Sequence, residues 1–204
     1  MPPDFTFEQA VGGIVVGLDE VGRGPLAGPV VAAAVILDPS VRHEHLDDSK
    51  KLTAKRREVL AVQILATATV GIGQASVEEI DRLNILNAAM LAMERAYAAL
   101  GRSADAALVD GNRAPKLPCP VTCIVKGDGK SLSIAAASVV AKVHRDRIMT
   151  ELAKQFPGFG WESNAGYGSA QHLVALARLG PTIHHRRSFA PVREAENRAK
   201  TYSS

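Results

Sequence analysis

Three short apolar runs in this chain each stop at an acidic residue: Leu18-Asp19-Glu20, Val109-Asp110 and Val125-Lys126-Gly127-Asp128. Each run is strand-sized and is followed by turn chemistry, so each reads as a buried strand that ends at its acid. In α/β sheets, sites tend to gather at strand ends. Carboxylates brought together there repel one another and are costly to desolvate. Such acids either cap turns, as Asp does routinely, or gather round divalent cations that cancel the repulsion. Mg2+ and Mn2+ prefer oxygen ligands and keep several waters. Two such ions roughly 3.5–4 Å apart clamp a phosphodiester in line. One difficulty is geometric: Asp19 and Glu20 are adjacent, and adjacent strand residues face opposite sides. They share a site only if the strand ends or bends, and Val21-Gly22-Arg23-Gly24 offers a bend.

The rest of the chain frames these strands. A second buried run covers Pro29 to Leu37, and Thr67 to Gln74 reads as another strand. Thr53 is placed as the N-cap of a helix through Leu65, and Ser76 with Glu79 forms a capping box. Helices are expected over Asn84–Leu100, Ser131–Lys154 and Ala170–Leu179, with Phe156–Gly168 as an aromatic, Gly-containing loop. The basic tail from His184 leaves room for one more short helix. Strands that cluster early and later alternate with helices predict an α/β fold with a mixed sheet. The expected division is a flexible tail over 1–12, a core over 13–155 and a small C-terminal helical extension over 156–204, packed on the core.

With 47% hydrophobic residues in 204, the chain can bury a sizeable core. A net charge of +3 suits a polyanion partner without requiring one. Cys119 and Cys123 have no companions at zinc-site spacing and read as reduced thiols. The start MPPDFTFEQA lacks the basic and apolar regions of a signal peptide, and no apolar run is long enough to span a membrane. A cytoplasmic monomer is expected, with no protein partner identifiable. Gly127-Asp128-Gly129-Lys130-Ser131 fails as a phosphate-binding NTPase loop because Ile124 stands where glycine is required.

Five blocks resemble bacterial ribonuclease HII, in the family order and across residues 13 to 191. They are Gly17-Leu18-Asp19-Glu20-Val21-Gly22-Arg23-Gly24-Pro25 with Leu26 to Val30, Asp48-Ser49-Lys50-Lys51-Leu52, Val109-Asp110-Gly111-Asn112, Lys126-Gly127-Asp128 through Ser138 to Lys142, and Gly166-Tyr167-Gly168 with His172 and His185-Arg186-Arg187-Ser188-Phe189. The resemblance implies a ribonuclease H-like core with a five-stranded sheet flanked by helices. It implies an endoribonuclease acting on RNA–DNA hybrids and 5′ of single ribonucleotides embedded in duplex DNA, leaving 3′-hydroxyl and 5′-phosphate ends. It makes Asp19, Glu20, Asp110 and Asp128 the catalytic acids, holding two Mn2+ or Mg2+ ions. It assigns the 2′-hydroxyl to Gly22-Arg23-Gly24 and the junction sugar to Tyr167. Lys50 and Arg186 are read from the residues themselves as further substrate contacts, with capping of the fold as the alternative for Arg186.

Two rival readings remain open at this point. Another ribonuclease H-fold nuclease, such as a junction resolvase, would use similar acids but lack the 2′-hydroxyl reader. A non-catalytic nucleic-acid-binding module would have no reason to keep acids at three strand ends, because acids repel phosphate. Gly129 and Ala165 depart from what the family's loops lead one to expect.

Overall fold

The computed structural model describes residues 2–41, 46, 49 and 52–201. Its strands are β1 (Val15–Val21), β2 (Val30–Ile36), β3 (Thr69–Ala75), β4 (Ala106–Asp110) and β5 (Val121–Ile124). Its helices are α1 (Thr6–Val11), α2 (Ala54–Thr67), α3 (Val77–Leu83), α4 (Ile85–Ala98), α5 (Leu132–Gln155), α6 (Trp161–Asn164), α7 (Ala170–Leu179) and α8 (Ala190–Thr201). The chain divides into two compact units. One comprises Met1–Val21, Val31–Gln74 and Ala89–His144, and the other comprises Gly22–Val30, Ala75–Ala88 and Arg145–Ser204.

The first unit carries the sheet, with strand order β3-β2-β1-β4-β5. β1 pairs antiparallel with β2 and parallel with β4, and β4 pairs parallel with β5, so the sheet is mixed as expected. The long helix α5 explains its own lack of an obvious apolar stripe. Ile134 to Ala137 and Val139 to Ala141 are all buried, as befits a helix surrounded by protein. Its approach to the sheet depends on Gly17, where an added Cβ would overlap the Ser133 backbone.

The stretch expected to be a loose tail is different in the structure. Thr6–Val11 form α1, and this helix carries a buried carboxylate, Glu8. Its Oε1 accepts from Ser131 Oγ at 2.6 Å, Ser133 N at 2.9 Å and Ser133 Oγ at 2.6 Å. These donors stand at the start of α5, where backbone N–H groups lack intrahelical partners and favour negative charge. The anchor lies more than a hundred residues from Glu8 along the chain, so no local pattern announces it.

The second unit packs Ala27, Met149, Phe159, Trp161 and Ala175 into one cluster and Leu26, Leu176 and Val192 into another. The Phe156–Gly168 loop contains α6, with Trp161 stacked on Phe159 at a ring separation of 5.1 Å. The basic tail forms α8. Cys119 and Cys123 are free thiols. Among the described residues, no helix is long and apolar enough to cross a membrane.

Candidate active site

Strand register brings the acids of the first unit together. Leu18 of β1 stands beside Val109 of β4 in a parallel pair, so the next residues, Asp19 and Asp110, lie at one level of the sheet. Asp110 in turn pairs with Ile124 of β5. Beyond Ile124 the chain turns back through Lys126, in the left-handed region at φ 56°, into a 3-10 turn over Gly127–Gly129. Gly127 N donates to Asp110 Oδ1 at 2.7 Å, which ties this turn to the end of β4 and delivers Asp128 beside it.

Asp19 and Asp128 are buried, and Glu20 is half-buried. Burial pushes the Asp19 carboxyl well above the ordinary carboxylate range, and the charges of Glu20, Asp110 and Asp128 push it further. The Ser138 hydroxyl, on α5, opposes the shift by donating to Asp19. Ser138 in turn bonds Ser49 Oγ at 2.8 Å. Neither serine stands out as a site residue in the sequence.

β1 does not end at the acids but runs on to Val21. The Asp19 side chain folds along the strand instead, its Oδ1 accepting from Glu20 N at 2.7 Å. Among the described residues, no three acidic, histidine or cysteine side chains are assembled as a ready-made metal cage. The donor set nevertheless fits a hard divalent cation. It offers only carboxylate oxygens, and Asp19 carries an electrostatic penalty that a cation removes.

The second unit holds Gly22-Arg23-Gly24. Of this loop Arg23 and Gly24 are exposed, while Gly22 and Pro25–Gly28 are buried. Gly22 has φ 96°, and a Cβ there would overlap the Arg145 guanidinium, so only glycine fits. Arg186 was expected to meet substrate. It is instead 0% exposed and donates to the carbonyls of Gly22 (2.6 Å), Arg23 (3.0 Å) and Gly28 (2.8 and 3.0 Å). This corrects its expected role: its donors are spent inside the protein, and the residue shapes the loop. Arg145, also 0% exposed, does the same for Pro29, Ala165 and Ala27 at 2.9, 2.9 and 3.0 Å. Burial lowers the Arg145 guanidinium to about 10; burial and the Arg145 charge lower Arg186 to about 9, so both stay charged at neutral pH.

In a trans peptide the C=O and the following N–H point opposite ways, and no cis peptide occurs among the described residues. With the Gly22 and Arg23 carbonyls turned to Arg186, the amides of Arg23 and Gly24 point away from it. Arg23 and Gly24, the residues that carry these amides, are the exposed part of the loop. Tyr167 is 47% exposed, and its ring edge lies against Gly24, within 3.3 Å of where a Cβ would stand.

Lys50 lies outside the described residues. Lys130 Nζ donates to the Val125 carbonyl at 2.9 Å. Ala165, a departure noted in the sequence, sits in the left-handed region at φ 49°, closing α6.

The family model described as ribonuclease HII matches residues 16–192. A ribonuclease HII of Paramagnetospirillum magneticum is 69% identical over 194 residues, covering 93% of this chain and 96% of that one. The solved ribonuclease H2 of Pyrococcus horikoshii superposes with a TM-score of 0.76 at 27% identity, covering 91% of this chain and 98% of that one. A structure of Bst-RNase HIII in complex with Mn2+ has a TM-score of 0.75 at 21% identity, covering 95% and 72% respectively, and shares the fold. The mixed five-stranded sheet with its flanking helices is thus a ribonuclease H-like fold. A family match over most of the length, together with relatives alike from end to end, establishes that this chain belongs to the ribonuclease HII family.

Proposed function

We propose that this chain incises on the 5′ side of a ribonucleotide, in duplex DNA or in an RNA–DNA hybrid, and leaves a 3′-hydroxyl and a 5′-phosphate. Membership of the ribonuclease HII family makes it an endoribonuclease acting on hybrids and embedded ribonucleotides. The finer reading rests on one observation above others: Arg186 holds the carbonyls of Gly22 and Arg23, and trans peptide geometry then sets the following amides on the opposite side of the chain. The 2′-hydroxyl is what separates RNA from DNA, and a pair of fixed backbone donors recognises its oxygen without a flexible side chain.

Asp19, Glu20, Asp110 and Asp128 would hold two divalent cations, Mn2+ or Mg2+. Mn2+ is bound in the solved ribonuclease HIII of the same fold. When bound, such a pair lowers the pKa of the attacking water and stabilises the leaving oxygen. The protein's own share is placement. Asp110 is held by Gly127 N, and Asp19 by Glu20 N and Ser138, so the carboxylates are oriented before substrate arrives. Tyr167 stacks beside the sugar at the ribonucleotide–deoxyribonucleotide junction, as its exposed ring beside Gly24 permits. Lys50 contributes a phosphate contact.

A labelled DNA duplex with one internal ribonucleotide, incubated with Mg2+ or Mn2+ beside an all-DNA control, tests the reading. A cut only in the first duplex, 5′ of the ribonucleotide, is expected. Cutting of both duplexes overturns the 2′-hydroxyl reader, and cutting of neither overturns the catalytic reading.

A further inference from the structure

Trp161, His172 and His185 form a buried polar cluster in the second unit that the reaction does not use directly. His172 is 0% exposed and His185 1%. Phe159 packs edge-on to both rings, at 5.9 Å and 4.9 Å. Buried imidazoles need partners, and each nitrogen here has one whose direction is readable.

Thr182 N can only donate, so His185 Nδ1, at 2.9 Å from it, is the acceptor. The His185 proton therefore sits on Nε2. That atom lies 3.1 Å from His172 Nε2, which must accept. The Trp161 indole N–H also donates to His172 Nε2, at 3.1 Å. The His172 proton is left on Nδ1, which faces the Tyr167 carbonyl at 2.8 Å. A single set of tautomers thus satisfies the whole chain from Thr182 to Tyr167. Burial lowers both histidines below their ordinary value, which keeps both rings neutral as this pattern requires.

The last link matters because of where it ends. Tyr167 N donates to Asn164 O at 2.9 Å, so both backbone groups of Tyr167 are held from inside. Its ring is left exposed against Gly24. We propose that His172, oriented by His185 and Trp161, is a positioning residue that sets the Tyr167 ring over Gly24 and so tunes recognition of the ribonucleotide. This rests on the reading of Tyr167 given above. Sequence alone assigned no role to His185 and gave His172 only a place in a block.

A double-mutant cycle on the duplex carrying one ribonucleotide tests it, with kcat/KM measured per folded molecule well below the melting temperature. Tyr167→Ala alone is expected to lower kcat/KM about tenfold or more. His172→Ala is expected to lower it by about tenfold in the wild-type background and by less than about twofold in the Tyr167→Ala background. Equal losses in both backgrounds overturn the positioning role while leaving Tyr167 in place. No effect of Tyr167→Ala removes the assignment of Tyr167, and the inference with it. Because a buried alanine can compromise folding, His172→Asn is the second variant, since its amide can donate from near the Nδ1 position. It should recover most of the activity despite a lower melting temperature. A loss as large as that of the alanine variant would show that the hydrogen bond to Tyr167 is not what matters.

Discussion

Asp19 shows at the scale of one residue how a site stores its need for a cation. Its carboxyl is raised by burial and by three neighbouring acids. A folded-state pKa above the unfolded value means that the group's stability contribution is present in acid and is lost as pH rises through the folded pKa. At neutral pH, without metal, Asp19 therefore works against folding. Asp19→Asn is expected to abolish cleavage, to raise the melting temperature of the metal-free protein, and to shrink the further rise that Mg2+ or Mn2+ produces in the wild type. Thermal melts with and without the ion check all but the first; an unchanged metal-dependent rise would remove Asp19 from the cation site. Arg186 is the opposite case, a buried charge held by hydrogen bonds to the carbonyls of Gly22, Arg23 and Gly28. Arg186→Lys replaces a fork of donors by one ammonium and strands part of the Gly22, Arg23 and Gly28 set. It should cost roughly 2–4 kcal/mol of stability by denaturant titration, since each buried acceptor left bare costs about 1–3 kcal/mol. Wild-type stability in that variant would contradict the clamp.

Among the elements, those built from neighbouring residues are the ones the sequence announces. Thr53 caps α2 by accepting from Arg56 N, and Ser76 and Glu79 close the expected capping box of α3. Both depend on groups three residues apart, and so does their legibility. α1 escapes the same reading because its anchor is distant. Glu8 draws its donors from the first turn of α5. Glu8→Ala should lower stability by about 2 kcal/mol, as two hydroxyls and one amide lose an acceptor. Chemical denaturation measures this, and no change would mean that α1 is held by its apolar contacts alone.

Across the whole molecule, acid acts through buried imidazoles. Burial lowers His185 from 6.5 to about 3, with the charges of His172 and His184 adding to the effect. A depressed folded pKa means that the unfolded chain binds more protons, so this contribution is present above about pH 6.5 and is lost as pH falls toward about 3. The loss amounts to about 1.4 kcal/mol per pH unit inside that window. Between about pH 6.5 and about pH 5, wild type should therefore lose about 2 kcal/mol more than His185→Asn, as read from urea titrations at the two pH values. Parallel curves would place the protonation elsewhere.

The strands that carry Asp19 and Asp110, the turn that carries Asp128, the glycine bend at Gly22 and the caps at Thr53 and Ser76 could all be read from the chain, although β1 runs on past Asp19 to Val21. Each is a preference that a residue expresses through its immediate neighbours, whatever the rest of the molecule does. The inward turn of Arg186, the latch at Glu8 and the histidine chain to Tyr167 could not. Arg186 reaches Arg23 across 163 positions, and Glu8 reaches Ser133 across 125. An arginine in a basic tail and an acid in a leading segment look like solvated surface until the fold removes water from around them. Desolvation makes an unpaired polar group costly, and it is set by which distant segments pack together, so only the tertiary structure decides which charges face the substrate and which hold the frame.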